Sequence, residues 1–218
     1  MIAQDLTLAE MRLALAPALA RAAVFDGWSE TAVAEAARQQ GLDPKVAVLA
    51  FSGGAMAMIA AWIGAVDAAM QREFGLGSLA AMPVRERIRR LVRFRLEAIA
   101  GQEEALRRAM AIMAMPRNAG QALHLGWASA DAMWRLAGDK ATDYNHYTKR
   151  TLLAGLYAAT LAIFVGDESA AKAETLAFLD RRIEGVMRFE KAKAKLLRPD
   201  TERFSVARFL GRLRYPAA

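Results

Sequence analysis

Apolar residues recur at helical spacing along almost the whole of this chain, and no segment sustains the every-second-residue alternation of a half-buried strand. The composition is rich in Ala, Leu and Met and poor in β-branched runs. Together these features confine the fold to an all-α architecture. At 218 residues, one domain with a sizeable core is expected. Cysteine is absent from the sequence, which excludes disulfides and thiol chemistry.

Local punctuation divides the pattern. A first helix is expected from Leu6 to Ala23, disturbed near Pro17. Ser29 caps a second over Glu30–Gln40, stopped by Gly41, and Asp43-Pro44 opens a third that ends near Phe51. Further helices are predicted over Ala55–Phe74, Pro83–Ala100, Glu103–Met115, Ala119–Ala137, Thr148–Val165 and Ala170–Leu197. Helices two and three have helix-turn-helix spacing. The chemistry of a DNA reader is missing, because the third helix, PKVAVLAF, offers Lys45 as its one polar group. Residues 1–80 are also net acidic, with five Lys/Arg against eight Asp/Glu, where a DNA-docking face is basic. Residues 1–52 therefore read as a degenerate helix-turn-helix unit.

The net charge of +7 belongs to the back of the chain, since residues 186–218 hold nine Lys/Arg and three Asp/Glu. Such a balance suits an anionic membrane, a nucleic acid or an acidic protein. The N-terminus is interrupted by Asp5 and Glu10 and does not resemble a targeting segment. The stretch Val46–Val66 carries no formal charge over 21 residues, but Ser52-Gly53-Gly54 break it, so a loop and a core helix are expected there rather than a membrane span. A soluble protein is the expectation.

Between the two apolar segments around residues 119–137 and 151–165 lies a connector, Asp139–Arg150, that is unusually rich in recognition chemistry. Asp143, Tyr144, Asn145, His146, Tyr147, Lys149 and Arg150 stand within eight positions, and Tyr and Arg dominate interface energetics. Either the segment is a recognition surface or its rings fold back onto the core.

The fragments FDGWSE (Phe25–Glu30), GLDP (Gly41–Pro44), RERIR (Arg85–Arg89), PRNA (Pro116–Ala119), AGDKATDYNHYTKR (Ala137–Arg150), LAGLYAATL (Leu153–Leu161) and FLDRRIEGVM (Phe178–Met187) together resemble the coenzyme Q biosynthesis accessory proteins, the Coq-nine family. The resemblance extends over about Leu13 to Lys195. It implies a TetR-like fold, with a three-helix N-terminal unit and a helical ligand-binding unit, and a domain over residues 1–197. It further implies a lipid-binding, non-catalytic accessory protein that takes up isoprenoid quinone intermediates at the membrane and assists the di-iron demethoxyubiquinone hydroxylase. In a bacterium it would lie in the cytoplasm, peripheral to the inner membrane; in a eukaryote, on the mitochondrial matrix side. Two positions depart from the family: Trp is common where His146 stands, and Pro where Ser52 stands. On this resemblance the connector residues become the surface that meets the hydroxylase. Met110, Met113, Trp127, Met133, Trp134, Leu152, Leu156, Tyr157 and Phe164 become the walls of a lipid pocket. Periodicity alone favours an ordinary Met-rich core at those positions, and the resemblance reverses that.

No catalytic constellation is visible. Neither His124 nor His146 has a carboxylate at the i+3 or i+4 spacing of a helical metal site, and Glu-x-x-His pairs, phosphate loops and serine elbows are all missing from the sequence. Neither a cofactor nor a bound metal is expected. Arg95 is the exception on its helix, falling inside the apolar stripe of Val84, Ile88, Leu91, Val92 and Ile99. It is expected to snorkel or to pair with a buried carboxylate, with a polar headgroup as the weaker alternative. Residues 201–215 form an amphipathic segment after Pro199-Asp200. At about 100° per residue Val206, Phe209, Leu210 and Leu213 share one face, flanked by Arg203 and Arg214 with Arg208 and Arg212 behind. Such a helix suits a membrane surface, its own domain or a second subunit. A homodimer is compatible with the TetR-like scaffold. The competing function is a ligand-responsive transcriptional regulator on the same scaffold; a lipid-modifying enzyme lacks an acid–base pair.

Overall fold

The computed structural model describes residues 6–75, 77–139 and 144–197. Among them the regular structure is entirely helical: α1 (Leu8–Asp26), α2 (Glu30–Gln39), α3 (Pro44–Ala50), α4 (Gly54–Glu73), α5 (Val84–Ala98), α6 (Glu103–Met113), α7 (Ala119–Leu136), α8 (Tyr144–Phe164) and α9 (Ala173–Leu197), with 3₁₀ turns at Pro116–Asn118 and Ala170–Lys172. The chain divides into two compact units, Met1–Ile183 and Glu184–Ala218, and the boundary falls inside α9. The tail expected over 201–215, with Arg203, Val206, Arg208, Phe209, Leu210, Arg212, Leu213 and Arg214, lies outside the described residues.

Helix starts follow the local chemistry. Thr7 and Glu10 form a capping box on α1: the Glu10 amide donates to Thr7 Oγ1 (3.3 Å) and the Thr7 amide to Glu10 Oε2 (2.9 Å). Donation from the Thr7 hydroxyl and then its amide holds the Glu10 carboxyl below its ordinary pKa. Ser29 Oγ caps α2 at the Ala32 amide (3.3 Å) and Asp43 Oδ1 caps α3 at the Lys45 amide (2.8 Å). Gly41, at φ +68, closes α2 in the left-handed conformation, and the Leu42 amide bonds back to the Ala37 carbonyl at 2.9 Å.

Pro17 does not interrupt α1. An interior proline costs about 3 kcal/mol, but the helix buries Met11, Leu15, Ala16, Ala18, Leu19, Ala20 and Ala23 against α2, α4 and α6, and that packing outweighs the local defect. Helix α4 is long and apolar enough to cross a membrane by length and composition. Here it packs on α1, α5, α6 and α7, with Met58 and Ile59 buried.

Two helix starts differ from expectation by three residues or more. Helix α8 begins at Tyr144, not Thr148, so half of the supposed connector is helical. Helix α9 begins at Ala173, because Ala171 and Lys172 adopt left-handed backbone (φ 53 and 56). Lys172 Nζ steadies that turn by donating to the Asp167 carbonyl (2.7 Å) and pairing with Glu103 (3.1 Å).

Candidate functional site

Helices α4, α5, α6, α7 and α8 enclose a cavity of about 600 Å³, within the size range of small-molecule sites. From α4 come Ile59, Trp62, Ile63 and Val66, one face at i, i+3, i+4 and i+7. From α6 come Leu106, Met110 and Met113; from α7, Ala122, Leu123, Leu125, Gly126, Trp127 and Ser129; from α8, Thr151, Ala154, Gly155, Tyr157, Ala158 and Leu161. Small residues on α7 and α8 leave the space, and Leu123 (75 % exposed) marks its open rim.

Four residues predicted as pocket walls line it: Met110, Met113, Trp127 and Tyr157. The other five do not, because helical phase turns them elsewhere. Met133 is fully enclosed in the core, and Leu156 and Phe164 are buried away from the lining. Leu152 is half-buried one residue out of phase with the lining stripe of α8. Trp134 donates from Nε1 to the Lys149 carbonyl (3.0 Å) and takes the Lys149 ammonium on its ring face (5.4 Å).

The α4 wall was missed because α4 reads as a plain core helix. Its stripe of Ile59, Trp62, Ile63 and Val66 was visible, but nothing local says whether it faces side chains or space. Trp62 also stacks on Trp28 (centroids 5.3 Å apart), whose Nε1 donates to the Ala105 carbonyl (3.0 Å). The three-helix N-terminal part is thereby packed directly against the cavity wall.

A polar corner lies on the cavity wall at Arg95 and Ser129. Arg95 from α5 is 2 % exposed. Its Nη1 donates to Asp67 Oδ1, its Nη2 to Ser129 Oγ (3.2 Å), and Ser129 Oγ donates to Asp67 Oδ2 (3.1 Å). The Tyr157 ring lies 4.8 Å from the guanidinium carbon. Burial opposes the charge, but Tyr157 and Asp67 outweigh it and raise the Arg95 pKa above the ordinary arginine value. The expected buried carboxylate is Asp67, on α4.

The Ala137–Arg150 block is largely an internal clamp. Arg87 donates to three carbonyls, of Met82 (2.7 Å), Ala137 (2.6 Å) and Ala80 (2.8 Å), tying α5 to the end of α7. Gly138 turns the chain at φ +82, and a Cβ there would stand 3.2 Å from Arg87 Nη1. Arg150, expected on a recognition surface, is instead buried. It donates to Asp131 (2.6 Å), Asp139 (3.0 Å) and the His146 carbonyl (3.1 Å), so it fastens α8 to α7. Lys149 pairs with Asp139 at 2.7 Å. Tyr147 is 62 % exposed, and with His146 it forms an aromatic group on Trp127, at 6.0 and 6.4 Å between centroids. Trp127 therefore touches the cavity on one side and this outer group on the other. Asp143 and the side chains of Tyr144 and Asn145 lie outside the described residues. Among the described residues no group of three or more His, Asp or Glu is placed to hold a metal.

Comparison with known proteins places this arrangement. Residues 119–190, which carry α7, α8 and the clamp, match the COQ9 family model. The ubiquinone biosynthesis protein COQ9, mitochondrial, of Rattus norvegicus is 32% identical over 168 residues, covering 74% of this chain and 54% of that protein. The corresponding proteins of Bos taurus and Homo sapiens are 30% and 29% identical over the same length. The chain spans about half the length of these curated relatives. Among solved structures, the TetR transcriptional regulator from Nitrosomonas europaea ATCC 19718 superposes with a TM-score of 0.63 at 20% identity, over 81% of this chain and 98% of that one. That likeness is one of fold. The clamp and cavity are thus built on a TetR-like all-α scaffold, and the chain is similar in sequence to the COQ9 family, by the family model over residues 119–190 and by its relatives over 74% of its length.

Proposed function

We propose that this protein is a non-catalytic, lipid-binding accessory factor of ubiquinone biosynthesis. The observation that carries the reading is an apolar cavity in a chain whose relatives are named for ubiquinone biosynthesis. An isoprenoid tail needs dry apolar walls, and each buried methylene contributes roughly 0.8 kcal/mol. Met110 and Met113 suit an irregular hydrocarbon because the unbranched thioether adapts its shape. The aromatic group of Trp127, His146 and Tyr147 is the face offered to the di-iron demethoxyubiquinone hydroxylase. The basic tail over 201–215 holds the protein to an anionic membrane. The relatives are named as mitochondrial; the same chemistry in a bacterium belongs at the cytoplasmic face of the inner membrane.

The outward face of α3 supports this reading over a DNA-binding regulator. Lys45, Val46 and Leu49 are its exposed side chains, the last 61 % exposed, and two aliphatic groups give nothing to base edges or phosphates. The test is lipid retention. Met113→Asp puts a carboxylate on the cavity wall and should abolish co-purifying isoprenoid in a mass-spectrometric extract while the helical circular dichroism is kept. Undiminished lipid in the folded variant would reject the cavity as its site.

A further inference from the structure

The size of the cavity limits how much of a lipid it can hold. A methylene group fills about the volume that a water molecule takes in the liquid, roughly 30 Å³. The cavity of about 600 Å³ therefore accommodates on the order of twenty carbons, or four five-carbon isoprene units. The room comes from missing side chains on α7 and α8, where a Cβ added at Gly126 or Gly155 meets nothing within 4 Å. The walls show which end of a lipid belongs inside. Of the lining residues only Arg95 carries a charge. It is 2 % exposed, and its guanidinium is held by Asp67, Ser129 and Tyr157, so it leaves a polar head little to bond. Ile59, Ile63, Val66, Leu106, Met110 and Met113 face the space from α4 and α6 with hydrocarbon and thioether alone. A head placed there would be stripped of water without regaining its hydrogen bonds, whereas a hydrocarbon chain has none to lose.

Taking the cavity as the lipid site proposed above, we propose that it is a chain-length gauge, which takes in about four isoprene units chain end first and leaves the head and any further units outside. The ligand class is an isoprenoid of at least that length, with its head left free for another protein to act on. A longer tail is gripped in part. The protein then does not lift such a lipid whole into its interior, and the rest of the chain stays in the membrane.

The experiment titrates the delipidated full-length chain with isoprenoid chains of two to six units, all carrying the same water-soluble fluorescent head. Each added unit up to the fourth should tighten binding by roughly a hundredfold or more, and the fifth and sixth should add nothing measurable. Gly155→Leu takes up the room of about one unit. Its plateau should come at three units, with the two- and three-unit chains bound as before. A rise that continues through six units overturns the gauge, and so does a plateau at two. A folded Gly155→Leu whose plateau stays at four overturns it as well. Native mass spectrometry with the unlabelled isoprenoid alcohols decides the remaining cases. If the unlabelled four-unit alcohol binds while every labelled chain is refused, the head must enter, and the chain-first placement is wrong. If neither labelled nor unlabelled chains bind, the lipid reading of the cavity fails first and the gauge falls with it.

Discussion

Replacing Gly126 with Leu should make the protein more stable and at the same time a poorer lipid binder. Gly126 lies mid-helix in α7, at the centre of the stripe that lines the cavity, three or four residues from Ala122, Leu123 and Ser129. A Cβ added there meets nothing within 4 Å. Removing a glycine from a helix interior gains ~0.8 kcal/mol. Burying a Leu side chain gains about 1.5–3 kcal/mol when complete, and about half of that against the open cavity. Unfolding in urea should therefore shift to a higher midpoint at unchanged slope, a gain of about 1.5–2.3 kcal/mol. The same side chain occupies the space of roughly four ligand methylenes. At ~0.8 kcal/mol each, affinity for an isoprenoid probe should fall by about 3 kcal/mol, near a hundredfold. Gly120→Leu is the control: its Cβ also meets open space, but the residue does not line the cavity. It should leave lipid binding alone. A destabilised Gly126→Leu, or one that binds the probe as before, would refute the reasoning, since the first denies the room and the second denies its use.

Gly138→Ala should lower stability by about 1–2 kcal/mol, the penalty of a left-handed alanine, and by more if Arg87 must surrender its bond to the Ala137 carbonyl; an unchanged urea midpoint would contradict the turn geometry. Asp167 caps the start of the last turn-and-helix segment, accepting from the Ser169 and Thr175 hydroxyls and their amides, which hold its carboxyl well below the usual range. Because its folded pKa lies below the unfolded value, its stabilising contribution is complete above about pH 4 and is lost only as pH falls toward the depressed folded value. Asp167→Ala should accordingly melt lower at neutral pH, with the gap narrowing in strong acid; a gap that widens in acid would reject the assignment. Cutting the chain after Leu197 removes Arg203, Arg208, Arg212 and Arg214, each worth roughly 1 kcal/mol at an anionic surface, and should release the protein from anionic vesicles in a pull-down; retention at full strength would show that the membrane contact lies elsewhere.

Much of the fold was legible because helix signals are local. Ser29, Asp43-Pro44 and Gly41 marked real starts and stops, since a cap needs only the residues next to it. The start of α8 was not legible. Tyr144, Asn145, His146, Tyr147 and Thr148 are indifferent helix formers and read as a turn. The helix there is fastened by Arg150 to Asp131 and Asp139 and by Trp134 to the Lys149 carbonyl, partners 11 to 19 residues away. The same bonds withdraw Arg150 from the surface that its residue type suggested.

Periodicity, caps and residue chemistry were enough to show that the chain is helical, where most helices begin, that its third helix lacks DNA chemistry, and that position 95 carries a charge in an apolar stripe. Tertiary structure decided which faces meet. A helix apolar nearly all round, such as α8, has no phase that a pattern can read, so only packing could turn Tyr157 toward the cavity and Phe164 away from it. Asp67 and Ser129 stand 28 and 34 residues from Arg95, and only packing could bring all three to one corner of a space that helices bearing small residues failed to fill.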